Sequence, residues 1–257
     1  MDLTRRDTLQ LGLAGFAGLG LTTVMPFVAH AQGKGDSYKT KSGEILVSPI
    51  QHASFVMTVP GLVIYNDPVG GKALFEGQPA PQLILITHEH ADHFEPETLA
   101  ALVGPETKLV VNPAVMEKLP AELKAKATAI GNGQSTTVGT VAIEAIPAYN
   151  TTEDRLKYHP KGRDNGYILT VDGSRVYIAG DTEDTPEMRA VTDIAIAFVP
   201  MNLPYTMDID QASSAVAAFK PAVVYPYHYK GSDPVAFAEK VAAAGGATKV
   251  VQGAWYG

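Results

Sequence analysis

The sequence predicts one α/β domain built on two packed sheets, and three observations predict it. Short apolar runs bounded by Pro, Gly, Asn or Asp recur in both halves of the chain, interspersed with stretches of helical spacing. No internal repeat with a period of about 20–50 residues and no low-complexity tract is present, which disfavours solenoids and propellers. The chain has 257 residues, 46% hydrophobic and 18% charged, a globular balance with ample material for a core in one large domain or two small ones.

The same composition excludes several functions. Lys and Arg number 20 against 27 Asp and Glu, a net charge of -7 that repels polyanions, so nucleic acid is not an expected partner. There is no cysteine, which rules out disulfides, iron–sulfur clusters, thiolate zinc sites and a cysteine nucleophile. Any metal must therefore sit on His, Asp or Glu.

From the N-terminus, residues 4–10 read Thr-Arg-Arg-Asp-Thr-Leu-Gln, and residues 8–31 carry no Lys, Arg, Asp or Glu across a Gly- and Ala-rich apolar stretch that ends in Ala29-His30-Ala31. A basic pair, a mildly apolar region and a small-x-small end resemble a bacterial twin-arginine signal. That resemblance implies export of the folded protein by the twin-arginine machinery, cleavage after Ala31 and a periplasmic mature form. Gly, Thr and Pro26 weaken the alternative of a retained membrane helix, so no stable membrane anchor is expected. Cleavage would remove two basic and two acidic residues, leaving 18 against 25 and a net charge still of -7, with six of the seven histidines retained. Residues 32–43, polar and rich in Gly, Lys and Ser, read as a flexible lead-in.

The folded domain is expected to span 44–257. Apolar runs at 45–47, 54–59, 62–65, 83–86 and 109–111 read as strands, and Pro60-Gly61 turns the second into the third as a hairpin. Helical signals follow at 96–102, 113–119 and 121–127, two of them with Pro near the start. The second half repeats the scheme, with strands at 141–146, 167–171, 176–178, 194–199 and 223–225, and Asp172-Gly173 as a hairpin turn. Helices are expected at 209–219 and at 234–244, the latter capped by Asp233 with Pro234 at its first position.

The chemistry concentrates in Thr87-His88-Glu89-His90-Ala91-Asp92-His93, directly after the strand at 83–86. In an extended turn, residues two apart point the same way, so His88 and His90 can grip one metal while Asp92 and His93, entering a helix, swing toward a second. A polar helix start capped by Asp92 would not explain three histidines in one short loop.

Here the chain resembles the metallo-β-lactamase superfamily, whose HxHxDH motif is matched by His88, His90, Asp92 and His93. Gly180-Asp181-Thr182 looks like the family's bridging carboxylate, and His228 in Pro226-Tyr227-His228-Tyr229 like its last histidine. Gln51-His52-Ala53-Ser54-Phe55 and Asn66-Asp67-Pro68 are similar to the hairpin of the branch that includes ascorbate-phosphate lactonase and the N-acylphosphatidylethanolamine phospholipase D. The resemblance implies a four-layer αββα sandwich with the site at one edge of both sheets. The residues fit these places. Asp181 follows an apolar strand and a glycine, where a carboxylate can bridge two cations, and His228 ends a strand. His52 and Asp67 either orient ligands by hydrogen bonding or satisfy the hairpin backbone.

Relatives place a histidine in a Pro-Ala-x-His context where this chain has Pro147-Ala148-Tyr149-Asn150. An amide oxygen binds a borderline metal more weakly than imidazole. His159, in a Pro/Gly-bearing loop, is the remaining mature histidine. We expect it to complete the first site while Asn150 orients water or substrate, the alternative being a solvent-facing loop histidine. Tyrosines crowd the stretch from Tyr149 to Tyr229, Tyr205 among them, and read as wall and packing more than as catalysts. Lys161 and Arg163 could clamp an anionic group or simply be solvated.

The function expected is an exported hydrolase with two divalent ions, zinc first and manganese or iron compatible with the same donors. Water bridging the ions would attack an ester, lactone or phosphodiester-type bond of a small-molecule substrate, with Asp92 orienting the nucleophile or passing a proton. Competing readings are a mononuclear iron oxygenase on the same fold and a non-catalytic periplasmic metal- or ligand-binding protein.

Overall fold

The computed structural model describes residues 35–256, so the signal segment and its cleavage point lie outside the described residues. The first sheet comprises β1 (Asp36–Lys39), β2 (Glu44–Gln51), β3 (Ser54–Val59), β4 (Leu62–Asn66), β5 (Leu83–Ile86), β6 (Lys108–Val111) and β7 (Ala127–Ala129), in that spatial order. Pairing is antiparallel from β1 to β4 and parallel from β4 to β7. The second sheet comprises β8 (Ser135–Val138), β9 (Val141–Ala148), β10 (Asp164–Val171), β11 (Ser174–Ile178), β12 (Ile194–Pro200), β13 (Val223–Tyr227) and β14 (Lys249–Val250), again in sequence order. It too is antiparallel in its first half and parallel from β11 onward.

Strand alternation explains why the sheets stack. Successive side chains face opposite ways. In β5, Leu83 and Leu85 enter the inter-sheet core, while Ile84 and Ile86 turn outward. In β12, Ile196 and Phe198 point inward, and Ala197 and Val199 outward. Phe198 stacks on Phe55 of the opposite sheet with centroids 4.1 Å apart, joining the layers through aromatic area worth about 2–3 kcal/mol for a fully buried ring.

The outward rows are covered by helices. On the first sheet lie α1 (Pro96–Leu102), α2 (Pro113–Lys118) and α3 (Ala121–Lys124), which contribute Leu99, Val115 and Leu123. On the second lie α4 (Pro186–Arg189), α5 (Ile209–Phe219) and α6 (Pro234–Ala243), which contribute Met188, Val216 and Phe237. This is the expected four-layer αββα sandwich. Asp233 caps α6 through the Val235 and Ala236 amides, as expected of an Asp before Pro at a helix start.

Two local expectations are corrected. Part of the lead-in expected to be flexible is strand β1, paired with β2, because Tyr38 turns toward the core and Tyr225 donates from its hydroxyl to Asp36 at 2.8 Å. The helix expected over 121–127 stops at Lys124, and Ala127–Ala129 pairs with β6, whose open edge satisfies more backbone than another helical turn would. No helix among the described residues is long and apolar enough to cross a membrane.

Strand direction locates the site. The ends of β2, β4, β5, β9, β11 and β13 all emerge at one edge of the sandwich, carrying His52, Asp67, His88, Asn150, Asp181 and His228 on the segments that follow.

Candidate metal centre

Three groups of side chains converge at that edge with donor atoms within 4.8 Å of one another: His88, His90 and His159; His88, His93 and Asp181; and His52, Asp92, His93 and His228. Asp181 links them. Its Oδ2 lies 3.2 Å from His228 Nε2, 3.4 Å from His159 Nε2 and 4.0 Å from His88 Nε2, and its Oδ1 lies 3.3 Å from His93 Nε2. Gly180 makes this placement possible: at φ +68° a Cβ there would sit 2.6 Å from the Asn165 carbonyl oxygen.

Buried carboxylates aim two of the rings. Asp67 Oδ2 is 2.8 Å from His93 Nδ1, and Asp164 Oδ2 is 2.9 Å from His159 Nδ1, so each ring is turned to present Nε2 inward. Asp67 also accepts from the Thr87 amide at 2.8 Å and the Thr87 hydroxyl at 2.7 Å, which fastens the start of the histidine loop. Three site residues, His52, Asp67 and His228, hold left-handed backbone at φ of 49°, 41° and 47°. Such non-glycine geometry persists only where its surroundings enforce it.

The donor chemistry fits cations. His88 Nε2, His93 Nε2 and Asp181 Oδ1 are buried and make no hydrogen bond among the described residues. Orphaned buried groups of this kind are costly unless something fills the space between them. Burial opposes charge on His93, yet Asp181 beside its Nε2 and then Asp67 at its Nδ1 raise its pKa to about 10, so the carboxylates on both sides of the ring draw positive charge. Burial first, with His93 and His159 adding repulsion, holds His88 well below the ordinary histidine value and leaves its ring neutral, the form that binds metal.

Most of the residues singled out in the sequence meet here. His159 joins His88 and His90 because the Asn150 amide donates to the His159 carbonyl at 2.8 Å, closing the loop onto the sheet edge. Asn150 itself points its amide group at the carbonyls of Tyr205 (2.7 Å) and Arg155 (3.2 Å), with its Oδ1 unpartnered among the described residues. Lys161 is engaged elsewhere, with Glu187 and the Tyr149 hydroxyl, whereas Arg163 stays at the site, donating to both oxygens of Asp164 with its Nη2 3.4 Å from His90 Nε2.

Three residues escaped sequence reasoning. Asp164 was hidden because its role depends on the closed loop, and Tyr256 because the C-terminal segment returns to the site only in three dimensions. Glu183, two residues after Asp181, carried a sequence hint. Its fully buried carboxylate accepts from the amides of Thr151 (2.7 Å) and Thr152 (2.6 Å), from both threonine hydroxyls and from Arg155. Burial acts against its charge, but these bonds lower its pKa and anchor the loop that carries His159. Glu183→Gln is therefore expected to cost about 3 kcal/mol, a fall in Tm on the order of 6–12 °C by calorimetry. A Tm within about 1 °C of the parent would remove Glu183 from this role.

A cavity of about 950 Å³ opens onto the cluster, lined by His90, Asp92 and Asp181, with Leu74, Tyr205 and Tyr256 among its apolar walls. These three are also among the few large apolar side chains exposed anywhere on the described surface.

Comparison with known proteins agrees with this arrangement. Residues 47–228 match the family model described as the beta-lactamase superfamily domain. A UPF0173 metal-dependent hydrolase of Ligilactobacillus salivarius is 31% identical over 192 residues, 72% of this chain and 84% of the relative. Among solved structures, a candidate metal-dependent hydrolase from Parabacteroides distasonis aligns with a TM-score of 0.78 and 43% identity, covering 85% of this chain and 97% of its own. The metallo hydrolase Igni18 of Ignicoccus hospitalis aligns with a TM-score of 0.68 and 26% identity, covering 81% and 94%.

Proposed function

The chain belongs to the metallo-β-lactamase superfamily, and from that premise we propose that it is a dinuclear metal-dependent hydrolase acting on an ester, lactone or phosphodiester-type bond of a small molecule. The observation that carries this reading is the set of inward-facing buried atoms without hydrogen-bond partners among the described residues, His88 Nε2, His93 Nε2 and Asp181 Oδ1, with three further aspartates, Asp67, Asp92 and Asp164, against the surrounding histidines. His88, His90 and His159 would hold one ion, Asp92, His93 and His228 the other, and Asp181 would touch both. Two such ions, zinc by this reading, would supply Lewis acidity and make water acidic enough to act as a nucleophile near neutral pH.

The protein's own groups do the rest. Asp67 and Asp164 keep the His93 and His159 rings in the orientation that leaves Nε2 free. Asp92 is half exposed to the cavity, with Oδ2 3.3 Å from His228 Nε2, so it can take a proton from the attacking water and return it to the leaving group. The apolar walls suit a substrate with an apolar body and exclude bulk water from its reacting end. Similarity of the 51–55 and 66–68 segments to the lactonase and phospholipase D branch supports ester, lactone and phosphodiester chemistry before β-lactams.

The test is a panel of esters, lactones, phosphodiesters and β-lactams, assayed with zinc and after chelation. Metal-dependent turnover within the first three classes is expected. An inert metal-loaded protein across the whole panel, or turnover that survives complete chelation, would sink the reading.

The twin-arginine reading belongs to the same proposal. Mature protein from the periplasm is expected to begin at Gln32, and replacing Arg5 and Arg6 by Lys is expected to leave precursor in the cytoplasm. N-terminal sequencing of fractionated cells decides it, and uncleaved wild-type chain in the membrane would refute it.

A further inference from the structure

Tyr256 brings its phenol to the site edge. Its oxygen accepts the backbone N–H of Tyr229 at 3.2 Å and lies 2.7 Å from His52 Nδ1. On the other side of the ring, His52 Nε2 faces Asp92 Oδ2 at 3.1 Å. An ionised carboxylate only accepts, so that Nε2 carries the proton and a neutral ring accepts the Tyr256 phenol proton at Nδ1.

Proximity alone would admit His52 as a metal ligand, since its ring lies 3.8 Å from that of His228 and its donor atom groups with Asp92, His93 and His228. The hydrogen-bond directions argue otherwise. A ligating Nε2 must be unprotonated, which moves the proton to Nδ1 and leaves His52 nothing to donate to Asp92 Oδ2. His93 and His159 differ on this point, because their Nδ1 atoms face carboxylates, which accept. The backbone keeps His52 in place: its carbonyl accepts from His228 N at 2.9 Å, and its amide donates to the Trp255 carbonyl at 3.3 Å.

We infer that Tyr256 and His52 form a donor chain that clamps Asp92 Oδ2, making His52 a positioning residue for Asp92 and the C-terminal segment part of the site. The inference deepens the hydrolase reading and rests on it for its kinetic readout alone.

The test uses the zinc-loaded full chain and the variants His52→Ala, His52→Gln and Tyr256→Phe. Long-range proton–nitrogen NMR of the imidazoles, assigned by the signal that disappears in His52→Gln, should show a neutral ring protonated at Nε2 and not bound to metal. Metal analysis should find the same zinc content in His52→Ala as in the parent. With any substrate turned over, kcat should fall about 10- to 100-fold in His52→Ala with KM nearly unchanged, and His52→Gln, which keeps an N–H donor, should recover part of the loss. Tyr256→Phe should lower kcat and shift the His52 tautomer.

Loss of zinc in His52→Ala, or a His52 Nε2 bound to metal, would overturn the inference in favour of a ligand. Unchanged kcat in all three variants would overturn it in favour of a structural contact. The NMR and metal readouts need no turnover, so a protein that hydrolyses nothing would fail the hydrolase reading and still leave the donor chain to be judged.

Discussion

Asp181→Ala is expected to strip at least one of two bound ions and to lower kcat/KM on the order of a thousandfold. Its carboxylate reaches both halves of the cluster: Oδ2 approaches His159 and His228 within 3.4 and 3.2 Å, and Oδ1 approaches His93 within 3.3 Å. Without it, two neighbouring cations would share no anion, and their repulsion would expel the weaker bound. Asp181→Asn keeps the shape and loses the charge, so it should bind metal better than the alanine variant and worse than the parent. Metal analysis after gel filtration, paired with turnover, reads both effects. Parental zinc content with normal turnover in Asp181→Ala would remove this residue from the centre.

The second large effect separates two residues that the sequence leaves in competition. His159→Ala is expected to weaken binding of one ion roughly 100-fold or more, since it removes one of three imidazoles whose donor atoms lie within 4.8 Å. Asn150→Ala should keep both ions. Its amide donates to the Tyr205 and Arg155 carbonyls, so its loss should appear as about 1–2 kcal/mol of stability. Competitive titration against a zinc chelator measures the first, and thermal unfolding the second. Full occupancy in His159→Ala with a lost ion in Asn150→Ala would reverse the two roles.

These predictions rest on parts of the molecule that were unequally legible in the sequence. The sandwich was readable because strands buried on both faces leave continuous apolar runs, such as 83–86, and because the family motif stands at the end of that run. His88, His90, Asp92 and His93 were legible for the same reason, since spacing within one loop survives any tertiary arrangement. β8 and β14 are short and carry half-buried or exposed side chains, so pairing with a neighbour creates them without an apolar pattern. α4 has only four residues. The partnership of His159 with Asp164 depends on a loop closing through one backbone bond, and Tyr256 reaches His52 across 204 residues of chain. Contacts of that separation leave no local trace.

The most direct test of the dinuclear centre is a zinc titration of the metal-free protein, following turnover of the best substrate against equivalents added. The arrangement around Asp181 predicts that activity rises until two ions are bound per chain and then stays level, with chelation returning it to zero. Full activity at a single equivalent, or activity indifferent to zinc, would contradict it.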